Sequence, residues 1–225
     1  VRDVLGLAYA LGYRRAAAVV GHDYGAIIAP WCALIRPDVF GSLAFMSAPF
    51  PGPPEVPFDT DRNPPARPAG PTIHEALAVL PRPRKHYQWY YSTREANNDM
   101  HRAPQGVHDF LRAYYHHKSA DWKANAPYPL KSWSAGELAK LPTYYIMDLA
   151  EDMAATVAKE MPSPAEIAAN KWLPDSELAV YAAEYQRNGF QGGLQWYRCG
   201  TSGAFTPELQ TWSGRAIDVP SAFIS

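Results

Sequence analysis

One stretch near the start of the chain, Val19-Val20-Gly21-His22-Asp23-Tyr24-Gly25, constrains the fold more than any other. The continuous apolar run at 16–20 predicts a buried strand, and the Ala- and Ile-rich run that follows predicts a helix. Strand, sharp turn and helix around Gly-x-Asp-x-Gly is the context of a nucleophile elbow, which presents its central side chain at the carboxyl edge of a parallel sheet. Asp23 is therefore a potential nucleophile. The pentapeptide alone leaves a second interpretation open, in which Asp23 only caps the helix.

The segments around this stretch predict an α/β fold with a parallel sheet. We predict a helix over 2–12, a strand over 16–21, a helix over 24–36 and a strand over 41–47, which together contain one βαβ unit. The last residues, 217–225, predict a third strand of the same sheet. Nine prolines at 48–71 exclude a long helix or a central strand there. This stretch is therefore predicted to be a connector, with Phe50 and Phe58 as apolar anchors that pack against the fold.

Most of the remaining chain has helical periodicity and many aromatic residues. Helices are predicted over 73–80, 84–97, 106–117, 150–160, 163–169 and 175–188. We therefore expect four parts: a partial sheet core with the elbow at 1–47, the connector at 48–71, a helical cap at 72–212 and a return strand at 213–225.

Composition excludes several classes of function. The 225 residues carry a formal net charge of −1 with no basic block, which argues against a nucleic-acid partner. Two cysteines, Cys32 and Cys199, form neither a disulfide framework nor a metal-ligand cluster. No apolar run approaches the roughly 18 residues of a membrane span. We expect a cytoplasmic protein without metal or cofactor, and the sequence does not indicate its oligomeric state.

Two motifs in the helical part, combined with the elbow, resemble the epoxide hydrolases of the α/β-hydrolase fold. His86-Tyr87-Gln88-Trp89-Tyr90-Tyr91 is similar to the first cap-domain tyrosine motif of that family, and Gly192-Gly193-Leu194-Gln195-Trp196-Tyr197-Arg198 is similar to the second. The resemblance covers nearly the whole chain. It implies that Asp23 is the nucleophile and that Tyr87 and Tyr197 hydrogen-bond the epoxide oxygen from a helical lid.

The chemistry of an epoxide explains why these groups belong together. The strained ring has no good leaving group unless its oxygen receives a hydrogen bond, which a neutral phenol can donate. A carboxylate can open the ring and form an ester, whose later hydrolysis needs an oxyanion donor, and the backbone N–H of Tyr24 fits that role. We expect a small hydrophobic epoxide as substrate, with Phe50, Trp89 and Trp196 as candidate pocket residues.

Three other groups that the resemblance implies are not found in the sequence. They are a histidine after the last strand that activates water, an acid that orients it, and a His-Gly-x-Pro loop before the elbow. The chain has no His-Gly-x-Pro stretch and no histidine after His117. We therefore expect the middle part of an epoxide hydrolase, lacking both ends of the core domain and unable to turn over.

Two alternatives remain open. A haloalkane dehalogenase shares the Asp elbow and the ester intermediate but requires halide-binding donors in place of paired phenols. A non-catalytic α/β-hydrolase relative that binds a small apolar ligand would need no histidine base.

Overall fold

The computed structural model describes residues 1–56 and 70–225, and in these residues the chain divides into two compact units. One unit holds 1–56 and 205–225, and the other holds 70–204. The contacts thus assign 205–212 to the unit with the elbow, whereas the sequence predicts a cap that reaches 212. The predicted anchor Phe58 and much of the connector lie outside the described residues.

The two units contain five strands and twelve helices among the residues that the structure describes. The strands are β1 (Val19–His22), β2 (Leu43–Met46), β3 (Arg84–His86), β4 (Ile146–Asp148) and β5 (Ser221–Ile224). The helices are α1 (Arg2–Ala10), α2 (Gly25–Ile35), α3 (Ile73–Ala78), α4 (Tyr87–Ser92), α5 (Glu95–His101), α6 (Gly106–His117), α7 (Ala135–Leu138), α8 (Met153–Ala158), α9 (Pro164–Ala169), α10 (Asp175–Asn188), α11 (Gln191–Ser202) and α12 (Thr206–Gln210). Within the described ranges, none of these helices combines the length and apolar character that crossing a membrane requires.

The first unit is built on a parallel sheet with the strand order β1-β2-β5. Val19 pairs with Leu43, and Leu43 pairs with Ser221. Helix α2 packs on this sheet, with Ala29 and Ala33 buried against Leu43. The α/β class and the βαβ unit predicted from the sequence are therefore confirmed. Because the strands run in one direction, the residues that follow β1 and β2 lie at the same edge of the sheet.

The second unit is mainly helical and has its own core. Its largest buried cluster joins side chains from α4 to α6, β4, α8, α10 and α11, among them Phe110, Met147, Val157 and Leu178. The tyrosines Tyr87, Tyr114, Tyr144 and Tyr197 pack against this cluster while remaining partly exposed.

The predicted continuous helix over 84–97 is wrong. Residues 84–86 form β3, which pairs with β4 in an antiparallel arrangement, and two separate helices follow. Buried Arg84 explains the difference, because its Nη1 donates to the Ile146 carbonyl at 2.7 Å and its Nε lies 3.5 Å from Asp148. These partners lie far away in the sequence, so local periodicity could not indicate them.

The buried imidazole of His117 predicts how the stability of the chain depends on pH. His117 is 1% exposed, and within the described part of the chain neither ring nitrogen has a hydrogen-bond partner. Burial lowers the pKa of His117 below its usual 6.5. Since the unfolded chain then binds the proton more readily, we expect the free energy of unfolding to fall as the pH drops below 6.5. Urea unfolding between pH 7.5 and 5 measures this slope.

A His117→Phe variant provides the comparison for that slope. Phenylalanine keeps a ring between Trp122 and Tyr144, whose centroids lie 4.5 and 4.8 Å from that of His117, but it does not titrate. We expect a shallower pH dependence for the variant. Identical slopes for the two proteins would contradict the assignment of the effect to His117.

Candidate active site

Asp23 has the backbone conformation that a nucleophile elbow requires. It directly follows β1, its side chain is exposed, and its φ of 56° lies in the left-handed region that non-glycine residues rarely adopt. Tyr24 returns to a right-handed helical conformation with φ −64°, and the Ala26 N–H donates to the Asp23 carbonyl at 3.0 Å. The strained residue is thus held between the end of a strand and the first turn of α2.

Gly21 is the position where the elbow tolerates no side chain. A Cβ atom at residue 21 would lie 1.9 Å from the Gly25 carbonyl oxygen and 2.9 Å from Cβ of Ala29. At Gly25 an added Cβ would meet no described atom within 4 Å. Of the two glycines in the motif, only Gly21 is required by the close packing of the strand against the helix.

Gly21→Ala should therefore destabilise the chain strongly. Since the clashing atoms are backbone, β1 or α2 must shift, and we expect the free energy of unfolding to fall by about 3 kcal/mol or more. Gly25→Ala is the matched control and should change it by less than about 1 kcal/mol. Chemical unfolding followed by circular dichroism measures both. Equal effects of the two substitutions would show that the close approach at Gly21 does not limit stability.

Ser47 is a component of the elbow that sequence reasoning missed. It follows β2, has a φ of 72°, and its Oγ accepts a hydrogen bond from the Asp23 N–H at 3.2 Å. The bond joins the two residues that leave neighbouring strands at the same edge of the sheet. A signal was available, because polar residues that follow parallel strands meet at one edge.

The candidate pocket residues lie in different surroundings. Phe50 belongs to the unit with the elbow and contacts Trp31 edge-on at 5.5 Å between ring centroids. Trp89 lies on α4 and packs against His74 at 4.0 Å. Trp196 lies on α11 and is partly buried. The role of these three residues in a pocket stays a prediction.

The two motif tyrosines, in contrast, come together in the helical unit. Tyr87 is the first residue of α4, Tyr197 lies in α11, and their ring centroids are 5.8 Å apart with the planes at 77°. Both rings are partly buried. The fold thus joins two motifs that are widely separated in the sequence and places both phenols at one location.

Tyr91 contacts both of these rings. It follows Tyr87 by one helical turn, and its ring contacts Tyr87 at 5.6 Å and Tyr197 at 4.9 Å. Tyr91 is 5% exposed, and its hydroxyl donates to Tyr114 at 3.2 Å. Burial, followed by the neighbouring tyrosines, raises the pKa of Tyr91 well above its usual value, so this phenol stays neutral. These contacts make Tyr91 a packing residue of the helical unit.

Hydrogen bonds fasten α11 to the end of α4. The Thr201 hydroxyl donates to Ser92 Oγ at 2.8 Å, and Arg198 Nη2 donates to the Thr93 carbonyl at 2.9 Å. The guanidinium of Arg198 thus anchors α11 to the end of α4. At the other end of α4, the Tyr87 N–H donates to the Tyr145 carbonyl at 2.8 Å. Hydrogen bonds therefore fix both ends of α4, the helix that carries Tyr87.

Comparison with known proteins relates this arrangement to one family. A sequence model described as the alpha/beta hydrolase family matches residues 1–184. Epoxide hydrolase A of Mycobacterium tuberculosis is 40% identical over 68 residues, which are 29% of this chain and 19% of that protein.

Solved structures show the same fold. An epoxide hydrolase from an endophytic Streptomyces matches 98% of this chain and 55% of its own with a TM-score of 0.62 and 26% identity. Epoxide hydrolase A from Mycobacterium thermoresistibile matches 98% of this chain and 56% of its own with a TM-score of 0.56 and 22% identity. The chain spans about half the length of these solved relatives.

Proposed function

The chain belongs to the alpha/beta hydrolase family, and on this premise we propose that it carries the ring-opening half of an epoxide hydrolase. Asp23 is the nucleophile, Tyr87 and Tyr197 are the hydrogen-bond donors to the epoxide oxygen, and the Tyr24 N–H is an oxyanion donor. The substrate is a small hydrophobic epoxide.

The proposed first step balances without a cofactor. A carboxylate oxygen of Asp23 forms a bond to an epoxide carbon while the bond between that carbon and the ring oxygen breaks. The electron pair of the broken bond goes to the ring oxygen, which accepts hydrogen bonds from both phenols and then one proton from one of them, leaving that tyrosine as a phenolate. The product is a hydroxyalkyl ester of Asp23. In its hydrolysis, water attacks the ester carbonyl, and the negative charge that develops on the carbonyl oxygen is stabilised by the Tyr24 N–H. The bond between the acyl carbon and the alkyl oxygen then breaks. One proton of the water completes the departing diol, the other restores the phenol, and the Asp23 carboxylate is regenerated.

The pairing of Tyr87 with Tyr197 supports this proposal more than any other observation. Two phenols whose ring centroids lie 5.8 Å apart are close enough to donate to one oxygen atom, and they belong to the two motifs for which the resemblance implies this role. The left-handed Asp23 of the elbow supports it independently, because such strain is concentrated at functional positions.

The 225 residues by themselves are expected to carry out only the first of these two steps. The resemblance implies a histidine base that activates water for ester hydrolysis, and no histidine follows His117 in the sequence. We therefore expect the isolated chain to be alkylated once at Asp23 and then to stall. Incubation with styrene oxide, intact-mass spectrometry and peptide mapping should show one adduct per chain on Asp23. Diol production well beyond one equivalent would contradict the expected stall, and the absence of any adduct would contradict the nucleophile.

Two further measurements separate the alternative functions. A haloalkane dehalogenase would release halide from 1-bromobutane, which an ion-selective electrode detects. A non-catalytic relative would bind the epoxide or its diol, as measured by calorimetry, without an adduct at Asp23. The paired phenols favour an epoxide hydrolase over both alternatives, because neither a halide site nor an apolar ligand cavity requires two phenol donors.

A further inference from the structure

His86 joins the strand β3 to the helix that carries Tyr87. It is the N-cap of α4, with φ −75° and ψ 136°, and its Nδ1 accepts a hydrogen bond from the Gln88 N–H at 3.3 Å. Histidine is an unusual cap, because only an unprotonated Nδ1 can accept this bond. The bond therefore places the proton of the neutral ring on Nε2.

The same imidazole also packs directly on Tyr87. The two rings are stacked, with centroids 5.0 Å apart and planes at 28°. Tyr87 is thus in contact with His86 on one side and, edge-on, with Tyr91, Tyr145 and Tyr197. His86 consequently contacts both the first turn of α4 and the ring that this turn presents.

The surroundings of His86 keep it neutral. It is 7% exposed, and burial lowers its pKa. The titratable group that faces it from α3 is His74, at 6.4 Å between ring centroids, whose pKa falls to about 4 through burial and, less, through His86 itself. The group that faces it from α4 is Tyr87, and Trp133, which does not titrate, covers it at 6.1 Å. Across the sheet, Ile146 of β4 is its partner. Among these described neighbours there is no carboxylate that would stabilise a charged imidazole.

We propose that His86 is a positioning residue for Tyr87, holding this phenol by capping α4 through an unprotonated Nδ1 and by stacking on its ring. This inference rests on the proposed function for its catalytic consequence. Protonation would turn Nδ1 into a donor that faces the donor N–H of Gln88. The cap is then lost, the first turn of α4 loosens, and the spacing between Tyr87 and Tyr197 is no longer maintained. Ring opening should therefore slow on acidification through the titration of a residue that does not touch the substrate.

Two substitutions separate the cap from the stack. His86→Asn keeps an acceptor at the cap but does not titrate, and His86→Phe keeps an aromatic ring but has no acceptor. The rate of Asp23 alkylation by styrene oxide is measured from pH 8 to pH 5, which reaches well below the ordinary histidine pKa, and at several epoxide concentrations, so that binding and the maximal rate are resolved. We expect an acid limb for the wild type, none for His86→Asn, and a maximal rate about fivefold lower for His86→Phe throughout.

Hydrogen exchange at the backbone N–H of Gln88 tests the cap without relying on alkylation. Its protection should fall with the acid limb in the wild type, stay constant in His86→Asn and be low at every pH in His86→Phe. An acid limb that persists in His86→Asn, or full Gln88 protection in His86→Phe, would overturn the proposal. If no variant forms an adduct, the proposed function fails, while the exchange data still decide whether His86 holds α4.

Discussion

An Asp23→Asn variant should form no covalent adduct with styrene oxide. Asparagine has nearly the same shape and tolerates the left-handed conformation at φ 56°, so the elbow should stay folded. An amide, however, is a far weaker nucleophile than a carboxylate. We expect the alkylation rate to fall by roughly a thousandfold or more, which places it below detection by intact-mass spectrometry.

Asp109→Asn is the matched control for this loss. Asp109 is an exposed carboxylate in the first turn of α6 and pairs with the neighbouring His108. Its removal should leave the adduct yield unchanged. If Asp23→Asn is still alkylated at the wild-type rate, another side chain is the nucleophile, and peptide mapping of the adduct would identify it.

The double variant Tyr87→Phe/Tyr197→Phe should show the second-largest loss. Each substitution keeps the ring in its edge-on contact and removes one hydroxyl donor. Loss of one preorganised donor to a developing oxyanion lowers a rate by roughly 100-fold, and loss of both should lower it by roughly 1,000-fold or more. The measurement is the maximal rate of Asp23 alkylation, with the free energy of unfolding determined in parallel.

Tyr181→Phe controls for the general effect of losing a phenol. Tyr181 lies on α10, is 48% exposed, and should tolerate the change without loss of rate. A double variant that alkylates as fast as the wild type would exclude the phenols from ring opening. A single variant as slow as the double variant would instead indicate that only one phenol donates to the epoxide oxygen.

These two experiments differ in what they test. The Asp23 substitution addresses a position whose geometry comes from the chain on either side of it. The tyrosine substitutions address a pair that exists only through the packing of α4 on α11.

The elbow could be predicted from the sequence because it is local. Gly21, Asp23 and the start of α2 lie within one turn of each other, and the steric limit at Gly21 comes from the Gly25 carbonyl, four residues away. The βαβ unit follows equally from short segments, because apolar runs of strand length flank a helix. The Tyr87 and Tyr197 motifs were identified by resemblance, since aromatic residues alone do not distinguish a donor pair from core packing.

The tertiary structure decided what depends on distant partners. Pairing with β4 makes Arg84, Lys85 and His86 a strand, although their periodicity is helical. Helix α11 forms despite Gly192 and Gly193, whose helix propensity is low, because its side chains pack on α4. The hydrogen bond between Ser47 and Asp23 and the contact of Tyr91 with Tyr197 likewise require two distant segments to meet. Local steric limits and turn preferences are determined by a few consecutive residues. A contact between remote segments, in contrast, exists only once the whole unit has folded.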